Sequence, residues 1–549
     1  MLAEIYCDKF IDQGVERGAI KLKPGLNVVI GSETATNSIG KSTFLMVVDF
    51  CFGGKDYAKS NGDVCKNVGE HSICFTHIFD GVAHYFSRSI TDVTTVWVCD
   101  EKYFAQKEIS LDEFNDFLAA SYGLNNLGGS FRSLIGCFMR IYGKPCRDVN
   151  RPLLSHEGSG MGEELDCLLK LYGQYASVAE KEERAKKATD EKSAYLNALK
   201  HQFIAAASNK TEVKNNKDRI AELEKNKNEI ISQSKDNLAD IDPIVARRIA
   251  EFKRELSTVR RNRTKLISHL NEMEDDLSSS KFKTSKDIEK LKKFFPDANF
   301  KKLEEIEKFH IQLADVLKKE HTEARKDTEV QIALLSSHIE SLEEQIRAIA
   351  PETNVTVAVL DSYSDIMQEM GRLRDANEAY EKKTALTKRA SELLASSKAF
   401  NMEVLETIQK KINERLIELN SKVCGNNKTA PHLVIKSANS YTYTVENDSG
   451  TGAETRGLFL FDAVVAQQTA LPVFIHDSCD VKQVEDEVMV RLFELYDTID
   501  AQVFIATDKA ETYTSKGMPE ILKKNTVLRL YEGHELFGRS WNKKAEYDN

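Results

Sequence analysis

A long middle section nearly free of helix breakers constrains this chain more than any other feature. Between Asp166 and Asn420 stand only two of its 27 glycines, Gly173 and Gly371, and three of its nine prolines, Pro243, Pro296 and Pro351. The residues between are rich in Lys, Glu, Ala and Leu, which predicts long helices. Each proline ends or kinks a helix, because it lacks an N–H and clashes with the preceding turn. Helices are therefore expected near 165–240, 244–294, 299–349 and 356–420. Phe252, Leu256, Val259, Arg263, Leu266, Leu270, Met273 and Leu277 step alternately by four and three residues. Ile332, Leu335, Ile339, Leu342, Ile346 and Ile349 do the same. A repeat of about 3.5 residues keeps one seam against a partner helix, as in a coiled coil. Segments on either side of Pro296 can then fold back antiparallel as an arm; an ordinary globular α-domain is the alternative. No Cys stands between Cys167 and Cys424, which excludes a zinc hook at the arm tip.

The flanks read differently. Gly25–Gly31 reads as a buried strand running into a glycine, and Asp80-Gly81 between Cys74–Phe79 and Val82–Phe86 marks a hairpin. Ser110 and Glu113 frame a capping-box helix start. Leu433–Ile435 and Tyr441–Val445 are strand-like, and Leu471–Ile475 and Ala501–Ala506 are short apolar runs of the kind buried in parallel sheets. The expected organisation is two α/β half-domains, 1–164 and 421–549, separated by a helical arm at 165–420 and meeting in space to complete one sheet.

Charge and hydropathy narrow the function classes. With 76 Lys and Arg against 86 Asp and Glu, the net charge of −10 excludes a uniformly basic nucleic-acid coat but leaves room for local basic patches. No apolar run approaches the roughly 18 residues of a membrane span. The start, Met1–Asp8, lacks the basic and apolar regions of a secretory leader. Ten cysteines without C-x-x-C spacing do not make a disulfide scaffold. A soluble, cytoplasmic protein with no membrane partner is expected.

The strongest chemical signal is the run from Gly31 to Thr43, with Asn37, Ser38, Ile39, Gly40, Lys41, Ser42 and Thr43 between a strand and an apolar helix. A phosphate-binding loop needs that context, because backbone N–H groups and a helix N-terminus face the phosphates. Lys41 would neutralise the β- and γ-phosphates of ATP, and the Ser42 hydroxyl would ligate Mg²⁺. The usual first glycine of such a loop is Ala35 here. A second signal is the apolar strand Leu471–Ile475 followed by His476 and Asp477, where a P-loop ATPase keeps the acid of its Mg²⁺ shell. A third is Ser449, Gly450 and Gly452 ahead of the apolar helix Gly457–Val465, which reads either as a flexible loop or as an anion site.

Phosphate loop, long coil, Ser-Gly loop and acidic strand, in that order, resemble the head-and-arm architecture of SMC-like ABC ATPases. More narrowly, NSIGKSTFLMVVDFCFGG at 37–54, FFPDANFKKLEEIEKFH at 294–310 and FIHDS at 474–478 resemble the ATPase component of bacterial three-component ABC systems, a group associated with genome conflict and anti-phage defence. The resemblance implies a P-loop ABC-type head made from both termini, carrying an inserted coiled-coil arm. It also implies a homodimer through ATP-bound heads, with Ser449, Gly450 and Gly452 reaching the γ-phosphate held by the partner. Effector or adaptor proteins of the same system, and DNA, are the further partners it suggests.

The chain departs from the SMC pattern at several points. Ser478 stands where a catalytic Glu is expected, and Asp508 where a His is expected. No Gln-bearing loop is apparent, and Phe131–Ile135 is the stretch expected in its place. His476, Asp480 and Glu485 are the candidates for positioning water, and His476 equally suits a satisfied buried histidine. A non-hydrolytic nucleotide-gated scaffold and a DNA-repair or chromosome-organising ATPase therefore stay open beside the defence reading. Finally, Arg247, Arg248, Lys253, Arg254, Arg260, Arg261, Arg263 and Lys265 share a short segment with only Glu251 and Glu255 as acids. That segment is either a solvated coil face or a contact for a phosphate backbone.

Overall fold

Leu26–Ile30 forms strand β1, buried at all five positions. The computed structural model describes residues 1–31, 39–60, 62–237, 243–279, 301–349, 357–425, 428–448, 450–508 and 518–539. Four more strands complete a parallel sheet with β1: β2 (Met139–Arg140), β3 (Val473–His476), β4 (Gln502–Thr507) and β5 (Thr526–Arg529), in the order β2-β3-β4-β1-β5. In register, β1 runs from Leu26 beside Val503 to Ile30 beside Thr507, and its other edge pairs with β5. Strands β3 and β4 are as buried as β1, as a parallel sheet covered on both faces requires. Helix α1 (Lys41–Cys51) lies against this sheet through Phe44, Leu45, Val47 and Val48, all fully buried.

A second, six-stranded antiparallel sheet orders its strands Ile20–Lys21, Leu2–Tyr6, Ser72–Phe79, Val82–Ser89, Thr95–Cys99 and Ala105–Ser110. Its hairpin turns at Asp80 and Gly81, both at positive φ (50° and 79°), which only the Gly adopts without strain. The capping box at Ser110 and Glu113 is present in full. The Gln502 side chain ties the two sheets together, accepting from Leu2 N–H (2.7 Å) and donating to Leu2 O (2.8 Å).

The chain divides into two compact units, Met1–Lys186 with Glu392–Asn549, and Lys187–Ser391. The long helices are α2 (Tyr175–Lys200), α3 (Lys210–Asn237), α4 (Pro243–Ser279), α5 (Lys301–Ile349) and α6 (Val357–Cys424). Where one helix is expected over 165–240 there are three, Met161–Leu171, α2 and α3, interrupted at Gly173 (φ 67°) and around Gln202 (φ 58°). Within the second unit, Glu191 pairs with Arg389, Asn216 with Asn377 and Arg219 with Glu369. The partner numbers fall as the first numbers rise, so α2 and α3 run antiparallel to α6. Helices α4 and α5 meet along Leu256, Val259, Ile339 and Leu342, flanked by Phe252, Leu335 and Ile346. These are residues of the two sequence seams. The expected breaks at Pro296 and Pro351 lie outside the described residues. In the first unit, Leu405, Ile408, Ile412, Leu416 and Leu419 of α6 are buried in the α/β core. The boundary therefore falls inside the long helices, inward of 164/165 and 420/421.

The polar centre of the first unit joins its two chain segments. Arg140 of β2, fully buried, donates through Nε and Nη2 to Asp462 (2.6 and 2.5 Å), also buried, on helix α7 (Thr451–Gln468). Arg140 also donates to the carbonyls of Cys146 and Pro152. Removing one partner of such a pair leaves the other charge buried and uncompensated. Asp462→Ala should therefore cost about 3–5 kcal/mol of stability, read as a lower denaturation midpoint for the α/β signal, whereas Glu191→Ala at an exposed pair should cost less than about 1 kcal/mol.

Candidate functional site

The site begins where β1 turns into α1. Asn37 and Ser38, with the rest of 32–38, lie outside the described residues. Ile39 is buried, and its carbonyl accepts from Leu536 N–H (3.1 Å). Gly40 sits at φ 99°, where a Cβ would stand 2.6 Å from Leu536 Cβ, so only glycine fits. Its carbonyl accepts from Phe44 N–H, which starts α1. Among the described residues no side chain caps this helix, and no acid stands in its first turn. The first-turn N–H groups are therefore oriented for an anion. Lys41 is 6 % exposed, and Ser42 and Thr43 are half-buried. Lys41 Nζ lies 2.5 Å from Asp508 Oδ1, an ionic contact off the direction of a hydrogen bond. Asp508 Oδ2 lies 2.5 Å from Lys482 Nζ. Gly31 makes room for this cluster, since a Cβ there would be 2.3 Å from Asp508 Oδ1 and 2.8 Å from Lys41 Cδ.

Asp477 ends β3 and is fully buried. Its Oδ2 accepts from Tyr142 N–H (3.0 Å), and its Oδ1 from Ser478 N–H (2.6 Å) and Ser478 Oγ (3.2 Å). β3 and β1 flank β4 in one parallel sheet, so Asp477, Asp508 and Lys41 all stand at its carboxyl edge. Open α/β sheets bind their ligands at that edge. Among the described residues no group of three or more His, Cys, Asp or Glu side chains could hold a metal ion. The Ser42 hydroxyl and the Asp477 carboxylate are donors of the kind Mg²⁺ takes when it arrives with phosphate oxygens, since it then needs few protein ligands.

His476 is the satisfied buried histidine of the two readings. It is fully buried, its Nε2 lies 2.9 Å from Asp462 Oδ2, and the Tyr496 hydroxyl is 3.3 Å from Nδ1. Its ring stacks on Phe459 at 4.0 Å. Burial lowers its pKa against the pull of Asp462, so the ring is neutral and Nε2–H donates. Asp480 is held by both forks of Arg147 (2.8 and 2.6 Å), and Glu485, exposed, pairs with Lys428.

Ser449 lies outside the described residues. Gly450 is the N-cap of α7, its carbonyl accepting from Ala453 and Glu454 N–H. A Cβ on Gly452 would sit 2.7 Å from Gln483 O, so the first turn of α7 packs on the turn that follows Asp477. Among the described residues no hydrogen bond or ion pair links Gly450 or Gly452 to Gly40–Ser42.

Several working parts carry no signal in the sequence. Strand β2 is two residues long, too short for any periodicity, yet it places the loop Ile141–Arg147 beside Asp477. Phe131–Ile135, the stretch expected in place of a Gln-bearing loop, is a short helix burying Phe131, Leu134 and Ile135. From Ile141–Arg147, Lys144 reaches Asp49 of α1 (2.6 Å), which Arg132 also binds (2.7 Å). Burial alone would raise the Asp49 pKa, but the two cations outweigh it and hold it at about 2.

Residues 10–237 match the family described as AAA domain, and residues 408–541 match the family described as an uncharacterised protein conserved in bacteria (DUF2326). No curated protein matches the chain. Among solved structures, the chain is similar to an Smc head domain with a coiled coil and joint derived from Pyrococcus yayanosii, at 15% identity and TM-score 0.43, covering 92% of each chain. It is also similar to an Smc head domain with an extended coiled coil bound to the C-terminal domain of ScpA, derived from Pyrococcus furiosus, at 11% identity and TM-score 0.34, covering 96% of this chain and 91% of that one.

Gly40 and Gly14 share positive φ, but a Cβ on Gly14 meets nothing within 4 Å. Gly14→Ala should cost only the left-handed backbone penalty of about 1–2 kcal/mol. Gly40→Ala adds the Leu536 clash and should lower the thermal midpoint further, by an additional amount on the order of 1–3 kcal/mol.

Proposed function

We propose that this chain is an SMC-like ABC-type ATPase that binds and hydrolyses ATP with Mg²⁺ at a dimeric head interface. We further assign it to a cytoplasmic, multi-component bacterial anti-phage system, where it acts on or senses DNA with effector or adaptor proteins. The observation that carries the ATPase reading is the convergence of Lys41, Asp508 and the Asp477–Lys482 turn at the carboxyl edge of one parallel sheet. The AAA-domain match over residues 10–237 supports it. The defence assignment rests on the sequence resemblance alone, and a DNA-repair or chromosome-organising ATPase would use the same site.

In this reading the first-turn amides of α1 and the Lys41 ammonium bind the β- and γ-phosphates, and Ser42 and Asp477 hold Mg²⁺. The ion supplies charge neutralisation at the transferred phosphoryl group. The Tyr142 and Ser478 hydrogen bonds fix the Asp477 carboxylate in one orientation. His476 positions Asp462 and Arg140 from inside the core. Ser449, Gly450 and Gly452 serve the partner's nucleotide, in keeping with Gly450 and Gly452 making, among the described residues, no hydrogen bond to their own Gly40–Ser42 turn. A second reading, a nucleotide-gated scaffold that hydrolyses ATP slowly or not at all, is favoured by Ser478, because a serine cannot act as the general base a Glu would.

Lys41→Ala should weaken Mg-ATP binding by about 10–100-fold, the worth of a hydrogen bond to a charged group; unchanged affinity in a folded variant contradicts the site. Steady-state phosphate release separates hydrolysis from scaffolding. Mixing Lys41→Ala chains with Ser449→Arg chains should restore part of the activity, since both defects fall on one of the two shared sites; no rescue speaks against the dimeric arrangement.

For DNA, Arg248, Arg254, Arg260 and Arg261 are exposed on α4, although Arg260 already pairs with Glu343 (2.5 Å). Binding through them should weaken with salt at a log–log slope of about −0.9 per phosphate neutralised. Changing Arg248, Arg254 and Arg261 to Glu should flatten that slope, and an unchanged slope leaves the segment a solvated coil face.

A further inference from the structure

The buried carboxylate of Asp508 sits between two lysine ammonium groups. It contacts the ammonium of Lys41 at 2.5 Å with one oxygen and that of Lys482 at 2.5 Å with the other. The Asp508 and Lys41 side chains are 4 % and 7 % exposed, whereas Lys482 is 35 % exposed and reaches in from the turn after Asp477. The cluster is built in. Thr507 O accepts from Gly31 N–H (2.8 Å), locking the end of β4 to the end of β1, and the missing side chain of Gly31 leaves the space that the carboxylate fills.

From this geometry we infer that Asp508 and Lys482 set the nucleotide affinity of the site. Asp508 is an internal anion that the phosphates displace from Lys41, and Lys482 is the cation that keeps the displaced carboxylate neutralised beside the terminal phosphate. This inference rests on the nucleotide-binding reading above. An anion entering at Lys41 competes with Asp508 directly. Once Lys41 turns to the phosphates, Asp508 would repel them in a site with little water to screen it. Lys482 meets that need because it holds the second carboxylate oxygen and sits on the solvent-facing side. Its charge therefore matters most for a triphosphate, whose last phosphate comes nearest, and less for a diphosphate.

The roles give opposite signs for two single variants and a definite result for the double. Asp508→Asn is isosteric and removes the competitor, so Mg-ATP affinity should rise by about tenfold, a typical coupling between sites. It also strands two cations, so the nucleotide-free protein should melt lower while its shift on adding Mg-ATP grows. Lys482→Ala should weaken Mg-ATP by about tenfold and Mg-ADP by less. In Asp508→Asn/Lys482→Ala the Lys482 defect should disappear. The experiment is equilibrium binding of a fluorescent ATP analogue and of ADP to the full chain, with thermal melts of each variant. Unchanged or weaker binding by Asp508→Asn overturns the competitor role. A Lys482→Ala loss of equal size in both backgrounds overturns the neutralising role and makes Lys482 a direct phosphate ligand. Wild-type protein that binds neither nucleotide overturns the nucleotide-binding reading itself, an outcome distinct from these two.

Discussion

Strand β1 comes from the start of the chain and its two sheet neighbours from the end, so the α/β core exists only when β1 is inserted between β4 and β5. Parallel strands cannot be joined by tight turns, and here the connection runs through the whole helical stretch. Closing so long a loop costs entropy that grows only slowly with length. The burial of β1, β3 and β4 on both faces offsets it. The same insertion makes the site. It brings the end of β1, with Gly31 and the Gly40–Ser42 turn, alongside Asp508 at the end of β4, one strand away from Asp477. The Gly40–Ser42 turn at one end of the sequence and the acids Asp477 and Asp508 at the other meet only because of this one strand placement.

Arg140, Asp462, His476 and Tyr496 form the polar counterpart of that insertion. The pair crosses between the two chain segments, and every member is buried with a partner. Buried ion pairs add little net stability against apolar replacements but are costly to break. Their effect here is one of position: Arg140 lies directly before the loop that touches Asp477, His476 directly before Asp477, and Asp462 on the helix that begins at Gly450. The loop that touches Asp477, Asp477 itself and the helix that begins beyond Gly450 are therefore tied to one another through one buried cluster.

Much of this organisation was legible from residue pattern. The mostly apolar run Leu26–Ile30 and the fully apolar run Val503–Ala506 became central parallel strands, the Asp80-Gly81 turn a hairpin, and the seam residues Leu256, Val259, Ile339 and Leu342 a buried contact between long helices. The rest was hidden for physical reasons. Two-residue β2 has no periodicity, so nothing in the sequence announces that the loop after it packs beside Asp477. The break near Gln202 comes from a positive φ on a residue type that gives no warning of it. Lys482 is an ordinary charge in sequence, and only the sheet order brings it to Asp508 and Asp508 to Lys41. The burial of His476 follows from α7 and Tyr496 packing over it, contacts that no local spacing encodes.

The central claim is that one phosphate site is assembled at the carboxyl edge of the sheet from both ends of the chain. Hydrogen–deuterium exchange of the full chain, with and without Mg-ATP, tests it most directly. The account predicts slower exchange at the first turn of α1, residues 40–44, together with the Asp477–Lys482 turn, and with both effects lost when Mg²⁺ is removed by chelation. Protection confined to one of the two segments, or appearing only elsewhere, would contradict it.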